Sequence, residues 1–270
     1  MKDNKFLGLI CYSGNKEKVL ETIFKLFPKD MKRFVDPFCG GLSPSLAVNC
    51  KVLANDSDPL IINMYRKLQT IPDPEMSIKG VIKEYELSRF NEEGFLKLRS
   101  DYNNTKDPLL LFTLIQHSFS NIFRVNLKGD FNVKFGNRTV NERSLKRLDL
   151  FKTKRDNITF SNRYFHMLDI EDGDFVYIDP PYLITEAVYN KYWTDSCEDL
   201  LYECIEDLDK RGIKFGLSNV ISHKGKSNHK LINFLERNNF KVIIVNKRYR
   251  LDRTDGIANK TEELYITNVY

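Results

Sequence analysis

Five cysteines in 270 residues make an odd set, with no C-x-x-C pair and no histidine at zinc-finger spacing. That excludes a disulfide framework and a structural zinc site as organising features, and the cysteines are expected to be buried free thiols. The four histidines, His117, His166, His223 and His229, form no H-E-x-x-H pair, so no metal is expected. Long apolar runs are also missing: LLLFTLI (109–115) and VIIV (242–245) fall far short of the roughly 20 residues a membrane-crossing helix needs. The opening residues MKDNKFLGLICYSGNK carry no signal-peptide pattern. A cytoplasmic protein without membrane association is expected. Internal repeats and low-complexity tracts are absent.

What is present is a globular composition, 41% apolar and 29% charged, in a chain long enough for one domain with a sizeable insertion or for two domains. Charge is uneven. Residues 119–155 carry ten Lys/Arg against three acids, more than the whole net charge of +5, so the rest of the chain is slightly negative and the segment is either a solvated face or a polyanion-binding surface.

KRFVDPFCGGLSPSLAV (32–48) reads as strand, glycine turn and helix, and KVLANDSDPLIINMYRKL (51–68) repeats the pattern. Alternating strands and helices imply a parallel sheet with helices on both faces. From 73 to 118 the periodicity is helical. FRVN-LKGD-FNVKF (123–135) then reads as a β-hairpin. Strand signals of the parallel kind return at DFVYID (174–179), IKFGLSN (213–219), FKVIIVN (240–246) and ELYITN (263–268), whereas YRLDRTDGIANKTEE (249–263) has the composition of a mobile basic loop.

In an open α/β sheet, ligands bind beyond the carboxyl ends of the strands. Asp36 ends one strand, followed by Phe38-Cys39-Gly40-Gly41, where glycines permit close approach to the backbone. Asp56 ends the next, 20 residues on, about where a carboxylate accepts the hydroxyls of a ribose. No G-x-G-x-x-G cradles a pyrophosphate, which favours a nucleoside cofactor without phosphates, although such a turn also serves simply to join strand to helix. FVYIDPPY (175–182) ends a third strand. Asp179 and the Pro180 carbonyl offer acceptors, Pro181 brings no N–H to compete, and Tyr182 offers a flat face. That combination suits a planar ring with an exocyclic amine.

These motifs resemble the Dam-type DNA adenine-N6 methyltransferases, particularly the T-even phage Dam proteins. YSGNK, FVDPFCGGLSPSL, VLAND, HSFSNIFRVNLKGDF and DGDFVYIDPPYLIT follow the family's order, with Phe-Cys-Gly-Gly where F-x-G-x-G is usual. The order is that of alpha-group amino methyltransferases. The resemblance implies a Rossmann-like α/β fold using S-adenosylmethionine and releasing S-adenosylhomocysteine. It implies a catalytic domain at 1–60 and 156–270, and at 61–155 an inserted, mostly helical recognition domain with a hairpin around 120–138.

Carried over residue by residue, Tyr12, Lys16, Asp36, Phe38, Gly40, Asp56, Tyr164, Phe165, Asp179 and Tyr189 would serve the cofactor. Asp179, Pro180, Pro181 and Tyr182 would serve the target adenine. Phe119, Ser120, Asn121, Arg124, Asn126, Lys134 and Arg138 would face DNA, with Arg124 and Arg138 as base readers and Lys128, Lys146, Lys152, Lys154 and Arg155 on phosphates. Phe119 ends an apolar helix, where core packing competes with filling the space left by a flipped base. Double-stranded DNA, probed at GATC, is the expected partner, with no obligate protein partner. The competing readings are an amino methyltransferase acting on cytosine N4 or glutamine, and a non-catalytic DNA-binding protein on the same scaffold.

Overall fold

The computed structural model describes residues 6–186 except 13, 15 and 18, together with 192–251 and 258–270. In chain order the elements are α1 (Leu20–Ile23), β1 (Arg33–Asp36), α2 (Ser43–Ala47), β2 (Lys51–Asn55), α3 (Pro59–Thr70), α4 (Pro74–Glu84), α5 (Glu92–Thr105), α6 (Pro108–His117), α7 (Glu142–Lys154), β3 (Ile158–Ser161), β4 (Asp174–Ile178), α8 (Asp195–Lys210), β5 (Lys214–His223), β6 (Lys226–Ser227), α9 (His229–Arg237), β7 (Lys241–Leu251) and β8 (Ala258–Thr267). Among the described residues no helix is long and apolar enough to cross a membrane. The chain forms two compact units, one of Met1–Glu17, Cys39–Asn49 and Ala54–Asn162, the other of Lys18–Phe38, Cys50–Leu53 and Arg163–Tyr270.

The first unit is mostly helical, and its helices begin where the sequence says they must. Three Asp-Pro pairs open α3, α4 and α6: Asp58, Asp73 and Asp107 each accept a first-turn backbone N–H, and the proline at the first helical position has no N–H to leave unsatisfied. α6 is buried from Leu111 to His117, so its one ionisable group is in apolar surroundings. His117 Nδ1 lies 2.9 Å from the Thr113 carbonyl, and burial pulls its pKa down. The basic segment is less available to a polyanion than its charge suggests. Arg147 is buried and paired with Glu17 at 2.5 Å. Arg155 donates to the Ile71 carbonyl at 2.7 Å and to that of Leu68 at 3.3 Å, capping α3, and Lys154 donates to the Val48 carbonyl at 3.0 Å. The phosphate roles expected of Lys154 and Arg155 are therefore corrected: both close helix and loop ends, where unsatisfied carbonyls accept a cation.

The second unit contains the strand sequence β1-β4-β5-β8-β7, with β6 paired to β5. β1 and β4 pair in parallel, as do β4 and β5. Alternation decides what each face does. Val35, Val176, Ile178, Phe215, Leu217, Leu264 and Ile266 turn to a core completed by Leu201, Tyr202, Ile205 and Leu208 of α8 and by Leu231 and Phe234 of α9. On the opposite face Phe27, shortly after α1, packs on Phe34, Phe175, Tyr177 and Tyr265. Gly216 lies where the Tyr265 ring crosses β5, and a Cβ there would come 2.2 Å from the hydroxyl. At the amino ends of β1 and β4, Arg33 holds Asp174 through two bonds of 2.9 and 2.6 Å.

Three expectations change. β8 runs antiparallel to β5, and β7 antiparallel to β8, so the last strands are not of the parallel kind. Positions 252–257 alone join β7 to β8, too short a stretch for the crossover of a dozen or more residues that parallel pairing needs. The supposed basic loop at 249–263 belongs largely to these strands: Tyr249 pairs with Lys260 and Leu251 with Ala258. All five cysteines are free, but only Cys39 is buried and the rest are partly exposed.

Candidate active site

In the second unit, β4 lies between two parallel neighbours and delivers Asp179 immediately beyond its carboxyl end. Pro180 is buried, whereas Asp179, Pro181 and Tyr182 stay partly exposed. The Tyr182 hydroxyl lies 2.9 Å from Asp179 Oδ1 and 3.2 Å from Glu263 Oε1, a carboxylate of β8. The Tyr182 carbonyl accepts from the Thr185 N–H and hydroxyl, each at 3.1 Å, fixing the turn that follows. Burial first, then the two carboxylates, pushes the Tyr182 pKa well above its ordinary value, so the phenol keeps its proton.

Asp36 ends β1 and is buried. Phe38 packs 5.3 Å from Phe165 and 5.6 Å from Trp193, and Phe165 and Trp193 are 5.7 Å apart. Two of these rings, Phe38 and Phe165, line a cavity of about 290 Å³ that continues to His166, Leu168 and Leu201. Tyr164 is 65% exposed and, among the described residues, stacks on His166 at 6.0 Å; it does not line the cavity that Phe165 borders. Trp193 is held in turn: its Nε1 donates to Glu198 at 2.5 Å. That buried carboxylate also accepts from Tyr202 at 2.5 Å, Asn219 at 3.0 Å and Asn228 at 3.2 Å. Tyr189 lies outside the described residues.

In the first unit, Gly40 adopts φ +40°, a conformation that suits glycine. Its N–H donates to Asp56 Oδ2 at 3.1 Å, and the N–H of Asp58 donates to Oδ1 at 2.9 Å. The Gly40 carbonyl accepts from the Tyr65 hydroxyl. A Cβ on Gly40 would meet the Tyr12 ring at 2.9 Å, so Tyr12, Gly40 and Asp56 form one constellation. Dense packing around Asp56 strips its charge of hydration and pushes its pKa up to about 6, with the backbone N–H donors pulling the other way. Lys16 is buried and donates to the Gly14 carbonyl at 3.4 Å.

The hairpin expected at 123–135 is a turn closed by isolated bridges, Val125 with Phe131 and Ser118 with Phe135, and not a continuous ladder. Its returning arm is pinned to α5: Asn103 donates to the Phe131 carbonyl at 3.3 Å and accepts from the Phe131 N–H at 2.7 Å. Phe131 and Val133 are buried while Asn132 and Lys134 are exposed. Arg124 is exposed and braced by the Asn132 side chain and carbonyl at 2.9 and 3.1 Å. Arg138 is exposed as well. Asn126 accepts from the Lys128 and Asp130 N–H groups, both at 2.9 Å, and so shapes the turn. Asn121 donates to the Gln116 carbonyl at 2.7 Å and closes α6. Ser120 and Asn121 both take positive φ, which swings Phe119 outward. Phe119 is 62% exposed, which overturns the core-packing expectation for it.

Sequence reasoning missed Glu263, Trp193 and Glu198. Only the buried position of a Glu in an otherwise apolar strand, TEELYIT, hinted at the first, and nothing local marked the other two.

The family model for D12 class N6 adenine-specific DNA methyltransferases matches residues 12–251. The modification methylase StsI of Streptococcus sanguinis is 36% identical over 95% of this chain and 42% of its own length. The type II methyltransferase M.FokI of Planomicrobium okeanokoites is 35% identical over 99% of the chain and 44% of its own length, so the chain spans less than half of either relative. A DNA adenine methylase of Vibrio cholerae is 26% identical over 95% of the chain and 94% of its own length. With bacterial modification methylases among the relatives, the expected likeness to T-even phage Dam proteins in particular gives way to the broader class.

Proposed function

The chain belongs to the D12 class of N6 adenine-specific DNA methyltransferases, and from that premise we propose that it methylates the N6 amino group of adenine in duplex DNA. The observation that carries the reading is the turn beyond β4, where an Asp179 carboxylate and the Tyr182 phenol are fixed 2.9 Å apart at the carboxyl end of a strand flanked by parallel neighbours.

The adenine amine is a poor nucleophile because its lone pair is delocalised into the ring. N–H bonds donated to Asp179 and to the Pro180 carbonyl draw the nitrogen toward tetrahedral geometry and localise that pair. Positioning and electrostatics are the contributions asked of the protein. The base must leave the helix to reach this turn, at a cost of a few kcal/mol. Stacking on Tyr182 and phosphate contacts from exposed cations such as Lys128 offset that cost, and Phe119, turned outward, fills the vacated space. Arg124 and Arg138 read bases, and GATC is the recognition sequence we assign, on the Dam-type order of the motifs.

S-adenosylmethionine, which the family implies, supplies an electrophilic methyl group when bound. The residues present fit it. Gly40 brings its backbone against the Tyr12 ring with no side chain between them, Asp56 is a carboxylate stripped of hydration and suited to the ribose hydroxyls, and Lys16 is the buried cation we assign to the cofactor's amino-acid portion. In the second unit Phe38 and Phe165 offer apolar faces to an adenine ring, with Trp193 behind them.

The test is to incubate unmethylated duplex DNA with the protein and S-adenosylmethionine, then digest and resolve the nucleosides. N6-methyladenine is expected, N4-methylcytosine would overturn the target base, and no modified base would overturn catalysis. Mapping the methylated positions tests GATC separately. Asp179→Ala should abolish transfer while DNA binding persists.

A further inference from the structure

A basic hairpin rises from the sheet beside the turn that carries Asp179. A strand has two edges, and β8 pairs along one edge of β5 from Gly216 to His223. β4, which meets Lys214–Leu217, and β6, which meets Ser222 and His223, therefore share the other. β4 stops at Ile178, level with Leu217, and the hairpin begins on the same edge at Ser222, roughly 15 Å further along at the rise of a strand. It stands beyond the carboxyl end of β4, on the rim to which a target base must come.

The tip is built to present cations. Lys224 and Gly225 both take positive φ, the pair of left-handed residues that a two-residue hairpin turn requires, and Lys224 and Lys226 are exposed on it. The base of the hairpin is fixed: the buried Asn228 donates its N–H to the Ile221 carbonyl at 2.9 Å, and its side chain accepts from the Leu231 N–H of α9 and donates to Glu198. Lys224 Nζ lies 3.1 Å from Glu186 Oε2, just past the turn that holds Tyr182. Lys224 first, and Lys226 after it, hold the Glu186 carboxyl below the usual range. Burial and then Lys224 pull the His223 pKa down, so the two lysines carry the charge of the hairpin. The same extension of the sheet continues into the stretch whose composition suggested a basic loop. There Arg248 pairs with Thr261, Lys260 with Tyr249 and Arg250 with Asn259, while Thr261 also pairs with His223. Lys247 takes the position opposite Glu262.

We propose that the β5–β6 hairpin is a phosphate-binding surface for the DNA strand whose base enters the turn beyond β4, with Lys226 and Lys224 as the contacts. The inference rests on the reading of the chain as an adenine methyltransferase. A base that leaves the helix stays bonded to its sugar, so its flanking phosphates travel with it to the rim of the sheet. An ammonium group is a compact point charge that meets a phosphate from any direction, and such a contact holds the strand without reading its sequence. Glu186 sets a threshold: it holds Lys224 in the free protein, and a phosphate must displace it. The contacts act while the base is out of the stack, so they offset the cost of unstacking at the place where it is incurred.

The test is a titration of a duplex holding the methylated site with the full chain, followed by anisotropy at several salt concentrations. Lys226→Ala should lower the slope of log affinity on log salt by about 1 and weaken binding about fivefold to tenfold at 0.1 M salt, and Lys226→Arg should restore both. Glu186→Gln, which frees Lys224, should tighten binding severalfold. An unchanged slope in Lys226→Ala, or no gain in Glu186→Gln, would overturn the inference. Neutral methylphosphonates placed singly at the phosphates flanking the methylated adenine locate the contact. At one of them the loss of affinity should be smaller in Lys226→Ala than in the unsubstituted chain, and equal losses at every position would overturn it. Lysines on a short edge strand can also serve to block pairing with a second copy; self-association of Lys226→Ala in sedimentation with an unchanged salt slope would replace the proposal with that role. Binding is read without turnover, and the nucleoside products of the unsubstituted chain are measured first. Binding through Lys226 with no methylated nucleoside refutes the methyltransferase reading alone, and methylation with an unchanged slope refutes this inference alone.

Discussion

Asp56 is the residue whose chemistry the structure perturbs most usefully. Its carboxylate accepts N–H bonds from Gly40 and Asp58, yet dense packing lifts its pKa to about 6. Ribose hydroxyls donate best to the ionised form, so cofactor affinity should rise with pH up to about 6 and level off above it. At pH 5 about one molecule in eleven is ionised, which weakens binding up to about tenfold relative to pH 8, or about 1.4 kcal/mol. Titration calorimetry with S-adenosylhomocysteine at pH 5, 6, 7 and 8 measures this directly, and an analogue lacking the ribose hydroxyls should show no such step. The free protein should move in the opposite sense. A carboxyl whose folded pKa lies above its unfolded value binds more protons when folded, so this group's contribution to stability falls as pH rises from about 4 to 6, by up to about 3 kcal/mol. Asp56→Asn should remove both trends. It turns an amide NH2 toward one of the two N–H donors, costing about 1–3 kcal/mol, while relieving the desolvated charge, so the melting temperature at pH 7 should change little as affinity drops. Affinity independent of pH between 5 and 8 would refute the ribose role.

Three further outcomes follow from named contacts. Gly40→Ala places a Cβ 2.9 Å from the Tyr12 ring on a backbone at φ +40°, so a loss of about 2–4 kcal/mol is expected in chemical denaturation. Glu198→Ala strands the donors of Trp193, Tyr202, Asn219 and Asn228 and should cost about 3–5 kcal/mol. Trp193 is the chain's single tryptophan, so a red shift of its emission below the melting temperature would report its release, and an unchanged spectrum would show that the carboxylate does not hold it. In DNA-binding titrations against salt, Lys128→Ala should lower the slope of log affinity on log salt by about 1, whereas Arg155→Ala should leave the slope unchanged and lower stability.

What the sequence disclosed was whatever is encoded by neighbours along the chain. β1, the glycine turn and β2 follow from short alternating runs, and the helix starts follow from the Asp-Pro pairs. The Tyr12, Gly40 and Asp56 constellation is compact in sequence by comparison with the contacts that stayed hidden. Strand direction at β7 and β8 is set by the chain's return path, and an apolar alternation reads the same in either direction. Glu263 meets Tyr182 across 81 positions of sequence, and Glu198 is reached by Asn219 and Asn228 from 21 and 30 positions away. Such pairings leave no local trace. Charge misled for a related reason: Arg147, Lys154 and Arg155 look like any surface cations until the carbonyls and the carboxylate they satisfy come into view.

The parallel pairing of β1 with β4 imposes an order on synthesis. β1 is complete at Asp36, but the strand that covers its edge begins at Asp174. At ordinary translation speeds that edge, with Phe34 and Val35 on it, stays open for on the order of ten seconds while the intervening helices emerge. The nascent chain thus carries an apolar strand whose one edge is met early by β2 while the other stays open until β4 is made. Yield of folded protein should therefore depend on chaperone capacity and on translation rate through the helical stretch more than on the final stability of the sheet.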